Sequence, residues 1–294
     1  MILFSCNKER KIENINGFDI SPDIENIIYS YKKDSFFNLY QKSIEDGKVT
    51  LVLQDSGNYV NPKYIEDGQK IISIFYPKNT LNPEFHVYDV KTRKVTEKIR
   101  IREGFISDYT FHSPNEIYYL NAHTFDSYSP IAPKAFHDFD VFKLDLNLSE
   151  SKKVSNLNSY YLDDILKLDN NNLLITARGT SSKSGLFVSK IDSANNELVF
   201  DKILIKNDTL RNSEMYSNPL ILPNGNILCT SSYQMVELDL KSKTEYPILP
   251  SNGLHYRMIR NVNYMVYYKQ RDYTNNIYYF DLKKKEIKVL DLTP

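Results

Sequence analysis

The sequence predicts an all-β chain built from one repeated unit. Three observations carry that prediction: a residue composition biased toward strands, the absence of helical spacing, and a strand–turn–strand order that recurs along the chain. Among the 294 residues, Tyr contributes 23 and Phe 15. Ile and Val are abundant as well, and such residues favour pleated, half-buried surfaces. No long stretch places apolar residues at helical intervals. No helix longer than two turns is expected.

The first unit is "FDISPDIENIIYSYKKDSFFNLYQK", from Phe18 to Lys42. An apolar segment leads into an Asp/Pro turn, then an apolar strand, then a second strand. The same order returns at "NPKYIEDGQKIISIFYP", "DYTFHSPNEIYYLNA", "DDILKLDNNNLLITARG", "NPLILPNGNILCTSS" and "HYRMIRNVNYMVYYKQ". The six turns lie near Asp23, Asp67, Asn115, Asn170, Asn224 and Val262, separated by 44, 48, 55, 54 and 38 residues. That interval suits four short antiparallel strands per repeat, as in a propeller blade.

Each unit makes physical sense as such a blade. The first strand is patterned to line a channel. Asp, Asn and Gly at the turn tolerate the tight conformations it needs. The second strand ("NIIYS", "KIISIF", "NLLITA", "NILCTS") is almost wholly apolar, as expected where both faces pack on neighbouring blades. The third alternates ("HVYDV", "MVELDL", "IYYFDL"), and a polar turn leads to an exposed fourth. One blade cannot bury both faces, whereas six in a closed ring can, and closure removes sheet edges. The expected fold is therefore a single six-bladed β-propeller over residues 15–294, preceded by an N-terminal tether of residues 1–14.

The first unit also resembles the repeat of TolB-like six-bladed propellers of bacteria. Ser21-Pro22-Asp23, Ile27-Ile28-Tyr29-Ser30, Asn38-Leu39-Tyr40 and Gly47 carry the likeness, with looser echoes at Asp67-Gly68 and Pro223-Asn224-Gly225. Ile24 stands where that repeat usually has Gly. The resemblance implies a propeller. It does not imply one function, because such folds bind proteins, gate peptidases or hold small ligands.

Near the N-terminus, Leu3-Phe4-Ser5-Cys6 resembles the bacterial lipobox, with Cys6 as the residue that would be lipidated. A secretory signal needs a basic segment and an apolar segment of about 7–15 residues, and only Met1–Ser5 precede Cys6. Either the natural start lies upstream, or Cys6 is an ordinary cytosolic thiol. The first reading is preferred. It places the protein in the cell envelope as a periplasmic or outer-membrane lipoprotein, with membrane contact only through that lipid. The second leaves it cytoplasmic. The other cysteine, Cys229, lies in an apolar run and reads as a buried strand thiol.

Charge narrows the function classes. Lys plus Arg and Asp plus Glu both number 37, so no global basic field exists to neutralise phosphates, and nucleic-acid binding is disfavoured. No Gly-x-Ser-x-Gly elbow, phosphate-binding loop or Cys-x-x-Cys pair is present. No catalytic constellation and no cofactor are assigned. The connections expected on one face of the ring combine Tyr, Asn, Ser and Arg, a mixture suited to peptides or sugars. The lack of Trp weakens a lectin reading, with Tyr59, Tyr160, Tyr216 and Tyr256 as substitutes.

The longest of these connections, Asn121–Asp140, is read as an irregular loop. It carries His123, Asp126, His137, Asp138 and Asp140 but no tight His pair, so partner contact is favoured over metal binding. Arg178, Arg257 and Arg271 are placed near the channel mouth, with His255 and Tyr256 beside them, as an anion or carboxylate site. The candidate ligand-binding set is therefore His123, Asp126, His137, Arg178, Tyr216, His255, Tyr256, Arg257 and Arg271. The expected function is non-enzymatic recognition of a protein, peptide or glycan by a monomer. The alternative is a propeller-type lyase or hydrolase using channel-mouth His, Arg and Tyr.

Overall fold

The structure is a computed structural model. It describes residues 15–102, 104–127, 131, 133–178, 185–192, 197–202, 216–222, 224–231, 234–250, 256–261, 264–269, 276–281 and 286–294. The tether with Cys6, together with His255 and Arg271, lies outside the described residues, as do the side chains of Arg178, Tyr256 and Arg257.

The strands pair into six sheets, each four-stranded and antiparallel in chain order. The first holds β1 (Ile15–Ile20), β2 (Asn26–Lys33), β3 (Phe36–Ser43) and β4 (Val49–Leu53). The second holds β5 (Gly57–Ile65), β6 (Lys70–Pro77), β7 (Glu84–Asp89) and β8 (Lys94–Arg100). The third holds β9 (Phe105–Ser113), β10 (Glu116–Ser127), β11 (Lys134–Asp145) and β12 (Glu150–Lys153). The fourth holds β13 (Tyr161–Lys167), β14 (Asn172–Arg178), β15 (Gly185–Asp192) and β16 (Glu197–Lys202). The fifth holds β17 (Ser217–Ile221), β18 (Ile227–Thr230), β19 (Gln234–Asp239) and β20 (Thr244–Pro250). The sixth holds β21 (Tyr256–Asn261), β22 (Tyr264–Lys269), β23 (Asn276–Asp281) and β24 (Glu286–Asp291). Among the described residues the single helical element is one 3₁₀ turn, Glu66–Gly68.

This is the arrangement of a β-propeller with four-stranded blades. The second strands are the most buried, because each is covered on both faces: Ile27, Ile28 and Tyr29 of β2 are wholly inaccessible, as are Leu173 and Leu174 of β14. Apolar layers fill the spaces between sheets. Ile72, Phe85 and Val87 of the second sheet meet Tyr109, Ile117 and Tyr119 of the third. Leu120 and Phe139 of the third meet Leu162, Leu173 and Ile175 of the fourth. Ile277 and Leu292, from the last sheet and just beyond it, pack with Ile15, Phe18, Ile27 and Tyr29 of the first. The Lys42 ammonium adds a hydrogen bond to the Asp291 carbonyl across the same junction.

The inner strands share a device that composition does not reveal. In β1, β5, β9, β13 and β17 the register with the second strand slips, so that extra residues sit on the inner strand. The extra residues fall at Asn16-Gly17, Asn61-Pro62, Ser107, Asp163 and Asn218-Pro219. The register of β21 is unbroken. Such bulges turn backbone and side-chain polar groups out of the ladder, and they are among the few places in a sheet where Pro fits. Gly17, Asn61 and Asn218 all take positive φ there. A Cβ at Gly17 would lie 2.7 Å from Asn61 Oδ1, so the first two bulges meet at a spot only Gly can occupy.

The Asn121–Asp140 segment differs from the expected loop. It is mostly hairpin: β10 and β11 run to twelve residues each and stay paired from Glu116↔Asp145 out to Ser127↔Lys134. β9 accompanies β10 only as far as Ala122, and β12 accompanies β11 only over Phe142–Asp145. A two-stranded ribbon therefore stands beyond its blade. The period-two signal is hidden because both faces of the outer ribbon meet water, so His123–Ser127 and Lys134–Asp138 carry no polar/apolar alternation.

Candidate functional site

Two regions gather chemistry: the ribbon with its aromatic surroundings, and the channel wall built by the bulged inner strands.

At the ribbon base, Asp140 is fully buried. One of its oxygens accepts from Ser155 Oγ at 2.8 Å and from the Leu157 amide at 2.6 Å. The other faces Lys153 Nζ at 2.7 Å and His123 Nε2 at 3.1 Å. A buried carboxylate survives when its oxygens are saturated in this way. It fixes His123 at the foot of the ribbon, with the imidazole about one third exposed. Further along, Lys134 Nζ lies 3.4 Å from Asp126 on the exposed surface. The Asp126 carboxyl is held below its ordinary value by the Ser127 amide first and by Lys134 next. His137 Nδ1 is 3.1 Å from Asp138. His123, Asp126 and His137 thus stand on one ribbon, where the sequence reading placed them in one irregular loop. Among the described residues, however, no group of three or more His, Cys, Asp or Glu side chains is placed to hold a metal ion.

Rings join what the sequence left apart. Tyr76 of β6 stacks on Phe105 of β9 with centroids 6.0 Å apart, and Phe105 stacks on Phe136 of β11 at 6.4 Å. Phe136 meets Phe125 across the ribbon at 4.9 Å. Phe105 also packs edge-on against buried Phe139, which in turn meets Tyr161 at 4.8 Å. Phe105 and Phe125 keep 36% and 42% of their surface exposed. The Tyr76 hydroxyl is pinned to the Ile106 backbone, giving to the carbonyl and taking from the amide, both at 2.9 Å. The result is a continuous aromatic ladder from the second sheet onto the ribbon. No sequence spacing could have found it, because its rungs come from β6, β9, β10 and β11.

Other expected contact residues turn inward. Tyr216, expected at the channel mouth, is only 2% exposed, sits in the core of the fifth sheet and donates its hydroxyl to Glu245. Tyr59 is equally buried, 4.6 Å from the Phe75 ring, with its hydroxyl 3.3 Å from His86 Nδ1. His86 reaches Glu84 through Nε2 at 2.8 Å. Burial pushes this imidazole below its ordinary range, which agrees with a structural role. Tyr160 is half exposed.

The channel wall encloses a cavity of about 250 Å³. Its charged groups also tie successive sheets together. Asp19 accepts from the Tyr64 amide at 2.7 Å. Lys63 reaches Asp108 at 3.2 Å, gives a hydrogen bond to the Tyr109 carbonyl, and lies 4.3 Å from the Tyr109 ring centre. Asp108 accepts from the Ile165 amide at 3.2 Å. Asp164 accepts from the Asn218 amide and from Thr176 Oγ1, each at 2.8 Å. Loss of water raises the Asp19 carboxyl to about 6. The same cause, with Asp163 and Asp108 adding repulsion, raises Asp164 to about 7.

Solved structures resemble this chain at the level of fold. Tricorn protease superimposes with a TM-score of 0.62 at 14% identity, over 96% of this chain and 26% of its own. Oligogalacturonate lyase in complex with manganese gives 0.60 at 10% identity, over 93% of this chain and 77% of its own. TolB from Acinetobacter baumannii gives 0.57 at 13% identity, over 94% of this chain and 63% of its own. The chain thus spans about a quarter of tricorn protease and under two thirds of TolB. No family model matches the chain, and no curated protein matches it in sequence. At such identities the likeness is one of fold, shared by binding proteins and enzymes alike.

Proposed function

We propose that this chain is a six-bladed, TolB-like propeller that recognises a protein, peptide or glycan through the face carrying the β10–β11 ribbon. It would act at the bacterial cell envelope as a lipoprotein. The aromatic ladder Tyr76–Phe105–Phe136–Phe125 is the observation that carries this reading. Rings held in register by packing offer contact area at small entropic cost, and polar side chains beside them supply adaptable hydrogen bonds. Asp126, Lys134 and His123 stand on the same ribbon for that purpose. A mixed aromatic and polar surface on a rigid scaffold is the general form of a recognition site.

The test uses an immobilised random peptide library and a glycan array. Saturable binders of one class should be enriched, and the Phe125→Ala/Phe136→Ala chain should lose them. Binders that ignore this double substitution would refute the ladder as the contact surface. The envelope address has its own check in the codons upstream of Met1. A basic and then apolar segment in frame there supports it, and a stop codon there removes it.

One observation favours the second reading, a lyase or hydrolase. Asp19 and Asp164, raised to about 6 and about 7, titrate near neutral pH beside a cavity, as a general acid or base requires. Turnover of a polyuronate or peptide substrate that vanishes in Asp164→Asn would establish it. The hydrogen bonds that both carboxylates already make to neighbouring sheets weigh toward a structural task.

A further inference from the structure

A second cavity, about 360 Å³, opens where the connection between the third and fourth sheets crosses the fourth. Its floor is Leu162, Ile175 and Ala177, each at most 5% exposed. Phe187 and Phe200 form walls, and Leu157 covers one side. Among the described residues two polar ones line it: Asn156, which is exposed, and Ser159, which is buried. The Ser159 backbone is locked to Phe139 in both directions, the Phe139 amide giving to the Ser159 carbonyl at 2.8 Å and the Ser159 amide giving back at 3.0 Å. The Leu157 amide is held by Asp140. The covering segment is therefore fixed in place, and the cavity is preformed.

We propose that this cavity binds an uncharged, ring-bearing small molecule of about ten to fifteen heavy atoms, with one hydroxyl or carbonyl directed at Asn156 and Ser159. The proposal does not depend on the ladder reading. Size and chemistry both point this way. The void is more than twice the roughly 150 Å³ that holds benzene in an otherwise dry apolar cavity. Its apolar walls give water few hydrogen bonds, and an unfilled space leaves their dispersion contacts unmade. No charged side chain is among the described lining residues, and the Lys153 ammonium, 3.5 Å from Asn156 Oδ1, is already paired with Asp140 at 2.7 Å, so a charged ligand would be desolvated there without a free counter-ion.

The experiment titrates the full chain with 1-naphthol, 1-naphthoate and N-acetylphenylalanine amide by calorimetry, and reads the melting temperature alongside. One-to-one saturable binding of 1-naphthol is expected, with a raised melting temperature. Naphthoate should bind at least about tenfold more weakly. Ala177→Phe fills the floor and should weaken naphthol at least about tenfold. Leu157→Trp fills the space from the covering segment and should do the same, which keeps the test open if the first variant folds poorly. Absence of naphthol binding, equal binding by naphthoate, or naphthol binding unchanged in a folded filled variant would each overturn the proposal. Tighter binding of the phenylalanine amide than of naphthol would overturn the small-molecule assignment and make the cavity an anchor for a polypeptide side chain.

Discussion

Asp164 of the fourth sheet accepts the backbone amide of Asn218 in the fifth at 2.8 Å, where the bulge of β17 turns that amide out of its own ladder. The bond joins two blades through a carboxylate raised to about 7 by burial. In the unfolded chain the same group titrates near its ordinary 3.8. The folded state then holds the proton more tightly than the unfolded state. Its contribution to stability is full below about pH 4 and declines as pH rises through about 7. Asp19, raised to about 6, acts in the same direction over a slightly lower window. Asn at position 164 keeps an oxygen for the Asn218 amide and has nothing to ionise. Asp164→Asn should therefore gain on the parent chain by about 4 kcal/mol between pH 4 and pH 8, read as a flatter pH profile of the melting temperature. A stability difference between the two chains that fails to widen over that interval would contradict this.

Ile24 raises a separate question. It sits at φ 64 in the turn from β1 to β2, in the place where the TolB-like repeat usually has Gly. The turn is well tied: Ser21 Oγ bonds Asp23 at 2.5 Å, and the Asn26 amide bonds Ser21 Oγ at 2.9 Å. A β-branched residue in that conformation costs about 1–2 kcal/mol, and Ile24 offsets part of it by packing against the Phe18–Ile27 cluster. Ala at this position loses the packing and keeps most of the strain. Gly loses the packing and the strain together. Ile24→Gly should thus be more stable than Ile24→Ala by about 1 kcal/mol in chemical denaturation, reversing the order seen at most strand and helix sites.

The same contrast shows what was legible in the sequence. Turns at Asp23, Asp67, Asn115, Asn170 and Asn224 join β1, β5, β9, β13 and β17 to their second strands, and the sixth expected turn, at Val262, lies outside the described residues. They were readable because turn chemistry and an apolar run are local signals. The bulges at Asn61-Pro62 and Asn218-Pro219 were not, since a Pro inside a strand reads as a break until its partner strand is known. Tyr59 and Tyr216 look like surface aromatics beside Asn and Ser, and only tertiary packing makes them core. The ladder escaped for the opposite reason: its rings are exposed or half-buried, yet they are neighbours only in space.

The ladder reading makes a prediction that separates recognition from folding. Phe125 and Phe139 lie on the two strands of one ribbon, but Phe139 is fully buried and Phe125 is 42% exposed. Phe139→Ala should cost about 3–5 kcal/mol of stability through the cavity it leaves. Phe125→Ala should cost under about 1 kcal/mol while abolishing capture of whatever the peptide or glycan selections enrich. Equal effects of both substitutions on stability would mean that the ribbon is core and not contact surface.

Asp140 governs whether the ribbon stands at all. Its carboxylate carries the Ser155 hydroxyl and the Leu157 amide on one oxygen, and Lys153 with His123 on the other. Asp140→Asn keeps the first oxygen but turns an amide NH₂ toward an ammonium and an imidazole, replacing an ion pair by facing donors. Facing donors at a buried site cost about 1–3 kcal/mol, and here the loss falls on the junction that seats both the ribbon and the Leu157–Ser159 segment. Hydrogen exchange should accelerate at Ala122–Ser127 and Lys134–Phe139 while the β2 and β14 amides stay protected. Because Leu157 and Ser159 border the apolar cavity, the same substitution should also weaken 1-naphthol binding. Lys153→Met supplies the control, because it deletes the partly exposed member of the pair and leaves Ser155, Leu157 and His123 on the carboxylate. Its ribbon should exchange more slowly than that of Asp140→Asn. The reverse order would show that charge balance at Lys153, and not the hydrogen-bonded carboxylate, holds the ribbon upright.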